Sequence, residues 1–400
     1  MCLSLGLLSS CLDTSQQVQS CPTINEARVI IPSPPEELVF PILQTTKWGF
    51  INSSGQVVIE PKFDIVDRFS ENRAPFGSRS NGKWGFIDST GQVVVEPRFD
   101  NAYPFFGGRA IVKVGKRSGF IDHSGREVGE RFIQVSSFHE GRAFGKGRDF
   151  QWRMFDLDGN WITNASFTGV GSFSEGLAAF SGRNYTKQAG FINREGKVVL
   201  ELRGLYPHIQ GYGFRGGLAA VYARRPFYWH QFLDIGKWGK DTWGFIDRNG
   251  KQVVPLKYDG VSDFSECLAT VWVNDKAGVI NTRGRMIVQP QFNSIRSFSE
   301  GFAVIQAGEF RSASTRYGYM DKTGKVVIEP QFSSADDFRE GLAVVQAIES
   351  GKKGYIDKIG KFVIEPQFDD AARFRGGLAR VEVGDKLGYI NHSGAFVWTN

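Results

Sequence analysis

The hydrophobic pattern of this chain is a short apolar run, a polar turn and a second apolar run. In the first copy, Phe50 and Ile51 lie in an alternating segment of about five residues, and the apolar run 57–59 follows the turn. Runs of this length that are rich in β-branched and aromatic residues predict strands, and two of them around a short polar turn predict a hairpin. The returning run ends in Glu-Pro, as at 57–61 and 326–330. We expect the proline to end the strand pairing, because it has no N–H to donate.

The turn itself is an Asp or Asn followed three residues later by Gly, and it occurs ten times. The pairs are Asn52/Gly55, Asp88/Gly91, Asp122/Gly125, Asp156/Gly159, Asn193/Gly196, Asp247/Gly250, Asn281/Gly284, Asp321/Gly324, Asp357/Gly360 and Asn391/Gly394. An Asx side chain caps such a turn, and Gly accepts a positive φ. The pattern predicts a type I turn with a G1 bulge.

Two further segments complete the unit. A Phe two residues after the proline is predicted to be a core anchor: Phe63, Phe99, Phe292, Phe332 and Phe368. A Phe-Ser-Glu-Gly-Leu-Ala type segment follows, as at 173–178, 298–303 and 338–343, and leads into another apolar run. Each unit is therefore predicted to have three strands, and residues 38–43 supply the first strand of the first unit. A sheet this small does not bury its aromatic face alone, so neighbouring units must stack.

The whole unit recurs along the chain. Residues 47–64 return almost unchanged at 83–100. Degenerate copies continue, and we mark them by the residue at the Gly49 position: Gly85, Gly119, Arg153, Gly190, Gly244, Gly278, Gly318, Gly354 and Gly388. Repetition at a fixed period of this length indicates a repeat architecture. Ten units therefore fill residues 37–400.

The repeated Trp-Gly pair resembles the WG-repeat family of bacterial proteins. The Trp is kept as Trp48, Trp84, Trp152 and Trp243, and is replaced by Ser118, Ala189, Ala277, Tyr317, Lys353 and Leu387. The resemblance covers about nine-tenths of the chain and implies a β-repeat architecture. It implies no particular biochemical activity.

Ten three-stranded units can be arranged in two ways. We expect an all-β, open, twisted array, because closed propellers usually have four strands per blade and four to eight blades. The alternative is two five-bladed, propeller-like halves, since the longest spacing between markers separates units five and six. The predicted organisation is a possible export signal at 1–11, an extended tether at 12–36, repeats 1–5 at 37–221, an insertion at 222–243 and repeats 6–10 at 244–400.

Composition agrees with a folded, turn-rich β protein. The chain has 48 Gly and 14% aromatic residues, with 41% hydrophobic and 22% charged residues. The glycines have no three-residue period, so collagen is excluded. The charge is mixed and the net charge is only +6, with no run of five basic residues. We therefore do not expect nucleic acid as a partner.

The N-terminus suggests export. A short apolar run ends at Leu8-Ser9-Ser10-Cys11, which resembles a lipobox whose cysteine is acylated. No Lys or Arg precedes the run and it is short for a signal peptide, so a chance apolar N-terminus in a cytoplasmic protein is the alternative. We expect a cell-envelope or secreted protein, lipidated at Cys11, with membrane contact only through that anchor.

Little in the sequence points to chemistry. The five histidines lack metal-ligand spacing, and the HExxH, GxSxG and Walker-type motifs are missing. The four cysteines form neither a CxxC pair nor a disulfide framework. We expect no metal, no cofactor and no enzymatic activity.

The insertion at 222–243 is the main candidate site. It concentrates aromatic and basic side chains, and loops inserted into a stiff scaffold often carry binding residues. Aromatic rings beside Arg can stack on sugar rings or anchor a protein. The candidate ligand-binding residues are Arg224, Arg225, Tyr228, Trp229, His230 and Trp238.

The alternative for these rings is that they pack a longer hairpin against the array. The favoured function is a non-enzymatic scaffold for a protein or cell-envelope glycan partner. A structural spacer without a tight ligand is second, and a hydrolase with a site at the insertion is third.

Overall fold

The computed structural model describes residues 38–182, 188–208, 213–223, 241–308 and 314–400. All regular secondary structure in these residues is β, in 39 strands that form ten antiparallel sheets. No helix in this part of the chain is long and apolar enough to cross a membrane.

We number the sheets in chain order. Sheets 1 to 5 contain β1 (Phe40–Gln44), β2 (Lys47–Ile51) and β3 (Val57–Phe63); β4 (Ile65–Val66), β5 (Arg73–Gly77), β6 (Trp84–Asp88) and β7 (Val93–Phe99); β8 (Asn101–Ala102), β9 (Ala110–Val114), β10 (Arg117–Ile121) and β11 (Glu127–Phe132); β12 (Gln134–Val135), β13 (Arg142–Lys146) and β14 (Trp152–Asp156); β15 (Gly169–Val170), β16 (Leu177–Ser181), β17 (Ala189–Asn193) and β18 (Val198–Leu202). Sheets 6 to 10 contain β19 (Tyr206–Pro207), β20 (Phe214–Arg215), β21 (Leu218–Ala223), β22 (Thr242–Asp247) and β23 (Gln252–Tyr258); β24 (Gly260–Val261), β25 (Leu268–Val273), β26 (Lys276–Asn281) and β27 (Met286–Phe292); β28 (Ser294–Ile295), β29 (Phe302–Ala307), β30 (Arg316–Asp321) and β31 (Val326–Phe332); β32 (Ser334–Ala335), β33 (Ala343–Gln346), β34 (Lys353–Ile356) and β35 (Phe362–Phe368); β36 (Asp370–Ala371), β37 (Ala379–Val383), β38 (Lys386–Ile390) and β39 (Phe396–Thr399).

The predicted hairpin turn is confirmed. In sheet 2, the Gly91 N–H donates to the Asp88 carbonyl at 2.9 Å, and the Asp88 N–H donates to the Gln92 carbonyl at 2.9 Å. The Asp88 carboxylate accepts the N–H groups of Thr90 and Gln92. Gly91 has φ +79°, and the other nine turn glycines also have positive φ. These are the bonds and the backbone conformation of a type I turn with a G1 bulge.

The strand after the turn does not end at its proline, so that prediction is wrong. β7 continues through Pro97 to Phe99, and its register runs from Phe86↔Val95 to Trp84↔Phe99. Between these pairs, one residue of β6 is opposed by three residues of β7, which places the proline in a bulge. β7 is an edge strand of sheet 2, and a proline is tolerated there because the missing N–H breaks no ladder.

The first strand of most sheets was not predicted. β8 has two residues, pairs with β9, and follows β7 after Asp100 alone. Single residues such as Asp100 therefore connect one sheet to the next, and we call them junction residues. Within the described residues, sheet 1 has no extra first strand and sheet 4 has no last strand, so each has three strands, whereas sheet 6 has five.

The core consists of ten clusters, each formed by two consecutive sheets. For example, Phe86 and Phe99 of sheet 2 pack with Phe105 and Val112 of sheet 3. Of the predicted Phe anchors, Phe63, Phe99, Phe332 and Phe368 are buried, and Phe292 is half-buried. The apolar area therefore lies between sheets, where each unit depends on its neighbours.

The tenth cluster joins the two ends of the array. Phe40 and Ile42 of sheet 1 pack with Leu378, Tyr389 and Trp398 of sheet 10. The Tyr389 hydroxyl donates to the Pro41 carbonyl at 2.9 Å. The ten sheets therefore form a closed ring.

The prediction of an all-β array of ten units is confirmed, and its propeller-like alternative is compatible with the ring. The ring is single, because sheets 5 and 6 share a cluster that contains Phe191 and Phe214. The open arrangement is not formed: sheets 1 and 10 have complementary apolar faces, and closure removes both from water.

Candidate functional site: the variable end of the ring

The two ends of the ring differ in how much the ten units vary. In sheet 2, the Phe-Ser-Glu turn before β5 and the hairpin turn 88–91 lie at one end of the strands, and the loop 78–83 lies at the other. We call the first the constant end and the second the variable end.

The turns of the constant end connect neighbouring sheets. The Ser70 hydroxyl donates to the Phe105 carbonyl at 2.7 Å, and the Glu71 carboxylate accepts the Gly108 N–H at 3.0 Å. Five more carboxylates accept the N–H of the equivalent glycine in the next sheet: Glu140 from Gly176, Glu175 from Gly217, Glu266 from Gly301, Glu300 from Gly341 and Glu340 from Gly377.

A base on the next hairpin turn usually completes this contact. The pairs are His123–Glu71 at 3.3 Å, Arg248–Glu175 at 3.6 Å, Lys322–Glu266 at 3.5 Å, Lys358–Glu300 at 3.2 Å and His392–Glu340 at 3.2 Å. In three units the turn has Gly107, Gly216 or Gly376 instead of Glu, and the matching hairpin residue is then Leu157, Thr282 or Ser53. The charged side chains of these turns therefore pair with each other between neighbouring sheets.

The shifted pKa values at this end follow from the same contacts. Burial opposes ionisation of Glu71, but hydrogen bonds from His123 and from the Gly108 N–H hold the pKa of Glu71 below its ordinary value. Burial likewise opposes ionisation of Glu300, while the Gly341 N–H and Lys358 lower the pKa of Glu300. These carboxylates act as acceptors between sheets.

The variable end has loops of very different length on equivalent strands. They are 45–46, 78–83, 115–116, 147–151, 182–188, 224–241, 274–275, 308–315, 347–352 and 384–385. Junction residues hold the ends of these loops in place. The Asp100 carboxylate, for example, accepts hydrogen bonds from Lys83 Nζ at 2.5 Å and from the Gly115 N–H at 2.6 Å. Variable loops on a fixed frame are typical of a binding surface.

The predicted site residues Arg224, Arg225, Tyr228, Trp229, His230 and Trp238 lie outside the described residues, as does Cys11. The structure does show the base of their loop. Tyr222 pairs with Trp243 across β21 and β22, and their ring centroids are 4.7 Å apart. Tyr206 stacks on Tyr222 at 5.5 Å, and His208 contacts the Trp243 ring edge-on at 5.3 Å. The insertion thus begins and ends at an aromatic stem.

A second feature of this end was missed from the sequence. Phe150, in the loop 147–151, is 64% exposed and has φ +60°. Lys146 Nζ lies 5.9 Å from its ring, and the junction residue beside it is the exposed Ile133. The available signal was the residue after the Phe that ends each returning strand, which is Asp64 or Asp100 in earlier units and Ile133 here.

The described residues contain no group of three or more His, Cys, Asp or Glu side chains that could hold a metal ion. Cys267 is disulfide-bonded, although the cysteine spacing predicted no disulfide framework.

The fold and its two ends define a ring-shaped, propeller-like β-repeat protein with loops of variable length at one end. The family model for the WG containing repeat matches residues 48–77, 84–117, 152–181, 243–276, 278–309, 317–347 and 354–386. These segments cover more than half of the chain, and the protein belongs to the WG-repeat family. A search of the curated proteins finds no match to the chain.

Two solved structures are similar to this chain to different degrees. A structure described as the crystal structure of the eukaryotic initiation factor matches with a TM-score of 0.51 and 14% identity, over 82% of this chain and 96% of that one. BamB from Moraxella catarrhalis matches with a TM-score of 0.35 and 13% identity, over 67% of this chain and 93% of that one. The first similarity concerns the fold alone.

Proposed function

We propose that this protein is a non-enzymatic scaffold whose variable end binds a protein or a cell-envelope glycan. The observation that carries the proposal is the confinement of loop variation to one end of the ring. The opposite end repeats one turn ten times, whereas equivalent loops at the variable end range from 45–46 to 224–241. A repeat β-propeller fold is not typically catalytic, and its loops generally present binding residues.

The long insertion supplies the binding residues in this proposal. Tyr228, Trp229 and Trp238 offer flat apolar faces, and Arg224, Arg225 and His230 offer hydrogen-bond donors beside them. The aromatic stem of Tyr222 and Trp243 supports this assignment, because it holds both ends of the loop at a fixed place on the ring.

The proposal includes export and lipidation at Cys11. The disulfide of Cys267 supports export, because disulfides persist in oxidising compartments. Expressed with its upstream region in a bacterium, the protein should partition with membranes, and Cys11→Ser should release it or block processing. A soluble product that retains Met1 would contradict export.

A loop graft tests the binding role. Sheet 7 joins the equivalent strands with residues 274–275 alone, so Asn-Asp can replace residues 224–241 without altering the strands. The graft and Trp229→Ala should keep stability within about 0.5 kcal/mol, as at ordinary surface positions. Both should weaken binding to a member of a panel of glycans and envelope proteins. Loss of stability with no ligand found would favour the structural spacer.

A further inference from the structure

Phe150 occupies a position that is unfavourable in two respects. Its side chain is exposed, and its φ of +60° is a conformation that a bulky side chain rarely adopts. The Phe150 N–H donates to the Gly147 carbonyl, as Gly82 donates to Ser78 and Gly351 to Ala347 in the equivalent loops of sheets 2 and 9. Glycine therefore serves at this position elsewhere, and folding alone does not require a phenylalanine there.

The surroundings of Phe150 are basic. Lys146 Nζ lies 5.9 Å from the Phe150 ring and 5.6 Å from the Trp152 ring. Lys116, Lys146 and Arg148 form no ion pair within the residues that the structure describes. Asp149, the acid next to Phe150 in the sequence, is paired with Arg153, and this hydrogen bond lowers the pKa of Asp149 to about 2.

The junction residue beside this loop carries no carboxylate, unlike those of three other sheets. Lys47, Lys83 and Lys352 each pair with an Asp at the junction that follows, at positions 64, 100 and 369. The junction residue between sheets 3 and 4 is Ile133, which has no carboxylate, and its N–H donates to the Lys146 carbonyl at 2.9 Å. Residues 101–153 contain ten Lys or Arg and five Asp or Glu, a net +5 out of +6 for the whole chain. The net positive charge of the protein is therefore concentrated in sheets 3 and 4, which include this loop.

We propose that Phe150 and Ile133, with Lys116, Lys146 and Arg148, form a docking patch for an acidic peptide segment that also carries apolar side chains. The inference rests on the proposed scaffold function and names a second part of the variable end. The two apolar side chains would cover hydrocarbon groups of the peptide, and the three unpaired bases would attract its carboxylates. The backbone conformation of Phe150 keeps its ring exposed to solvent, where the peptide can contact it.

Acidic peptide fits this patch better than acidic glycan. Phe150 and Ile133 are hydrocarbon side chains without a hydroxyl or indole N–H, so they complement apolar side chains and not the polar rim of a sugar ring. Lys146 lies beside both apolar residues, and an apolar centre with a charged rim is the usual arrangement in a protein interface.

A fluorescence titration of the full chain tests the proposal. The probe is a short labelled peptide in which Glu alternates with Leu, and the same peptide with Gln for Glu is its control. We expect binding of the Glu peptide only, weakening as salt is raised. Phe150→Gly should weaken binding about tenfold or more, and K146Q with R148Q should weaken it and reduce the salt dependence. Ile359→Ser, at an exposed apolar position of the constant end, should change nothing.

Stability separates this role from a structural one. Phe150→Gly should leave the Tm unchanged or raise it, because glycine accepts the positive φ. Phe150→Asn provides a second test, since Asn also tolerates that conformation. A lower Tm in both variants, no binding of the Glu peptide, or binding of polygalacturonate in its place would overturn the proposal. The 224–241 graft should keep peptide binding, so failure at this patch is distinguishable from failure of the proposed function.

Discussion

At the residue scale, the glycine of the Trp-Gly pair is required by a close backbone approach. A Cβ on Gly85 would lie 2.2 Å from the Val95 carbonyl oxygen and 2.9 Å from Pro97 N. The bulge of β7 brings this backbone over the glycine. Arg153 stands at this position in sheet 4, and there the strand after the hairpin is reduced to isolated bridges such as Trp152↔Phe167. The glycine therefore permits the bulged strand.

Gly85→Ala should consequently destabilise the fold by about 2 kcal/mol or more, as overpacking against backbone does. Gly82→Ala is the matched control: it has φ +66° but no atom within 4 Å of its Cβ, so only conformational strain of about 1 kcal/mol applies. Urea denaturation of the two variants compares them. Equal losses would show that the close approach is not the reason for the glycine.

At the element scale, neighbouring sheets are held by hydrogen-bonded carboxylates as well as by apolar clusters. Glu300 accepts the Gly341 N–H at 3.0 Å and pairs with Lys358 at 3.2 Å, both from the next sheet. The link is repeated around the ring, and its acid and base are present or missing together. The Glu of one sheet and the base of the next sheet thus form a single ion-paired contact between the two sheets.

Glu300→Gln should lower the free energy of unfolding by about 1 kcal/mol at neutral pH, because it removes the charge from these bonds. The folded pKa of Glu300 is below its ordinary value of 4.5, so its stabilisation is present above that pH and is lost as pH falls below it. The variant should therefore show a shallower loss of stability in acid. Glu329→Gln, an exposed change on β31, should leave the acid profile unaltered.

The elements also show what the sequence could predict. Alternation and Asx-Gly turns located the hairpins, because both signals are local. The two-residue strands such as Asn101–Ala102 carry no periodicity, and the bulge at Pro97 depends on register between strands. For the same reason the insertion was found from spacing, whereas the Phe150 patch emerged only when the structure placed Ile133 beside Lys146.

At the scale of the whole molecule, the sequence did not distinguish an open array from a ring. Each unit encodes only its contacts with neighbours, and closure depends on a small rotation per unit that accumulates over ten units. The end units carry the information, since Phe40 and Trp398 are buried only if sheets 1 and 10 meet. From the sequence alone, Phe40 and Trp398 look like any other core residue of their own sheets, so the contact between sheets 1 and 10 could not be predicted.

Two equivalent tyrosines test the closure. The Tyr355 hydroxyl donates to the Ala372 carbonyl at 2.8 Å between sheets 9 and 10, and Tyr389 makes the same bond to Pro41 between sheets 10 and 1. In a closed ring, Tyr355→Phe and Tyr389→Phe should each lower stability by about 1 kcal/mol. In an open array, Tyr389 would have no partner and its change would be silent.

Alkaline denaturation adds a second readout of the same interface. Burial raises the pKa of Tyr389 to about 12, so the folded state favours the protonated phenol. Its contribution to stability is present below the ordinary pKa of 10 and is lost as pH rises through 12. Tyr389→Phe should therefore flatten the decline in stability above pH 10, measured by urea denaturation across that range. An unchanged alkaline profile, together with unchanged stability at neutral pH, would mean that sheets 1 and 10 do not meet in solution.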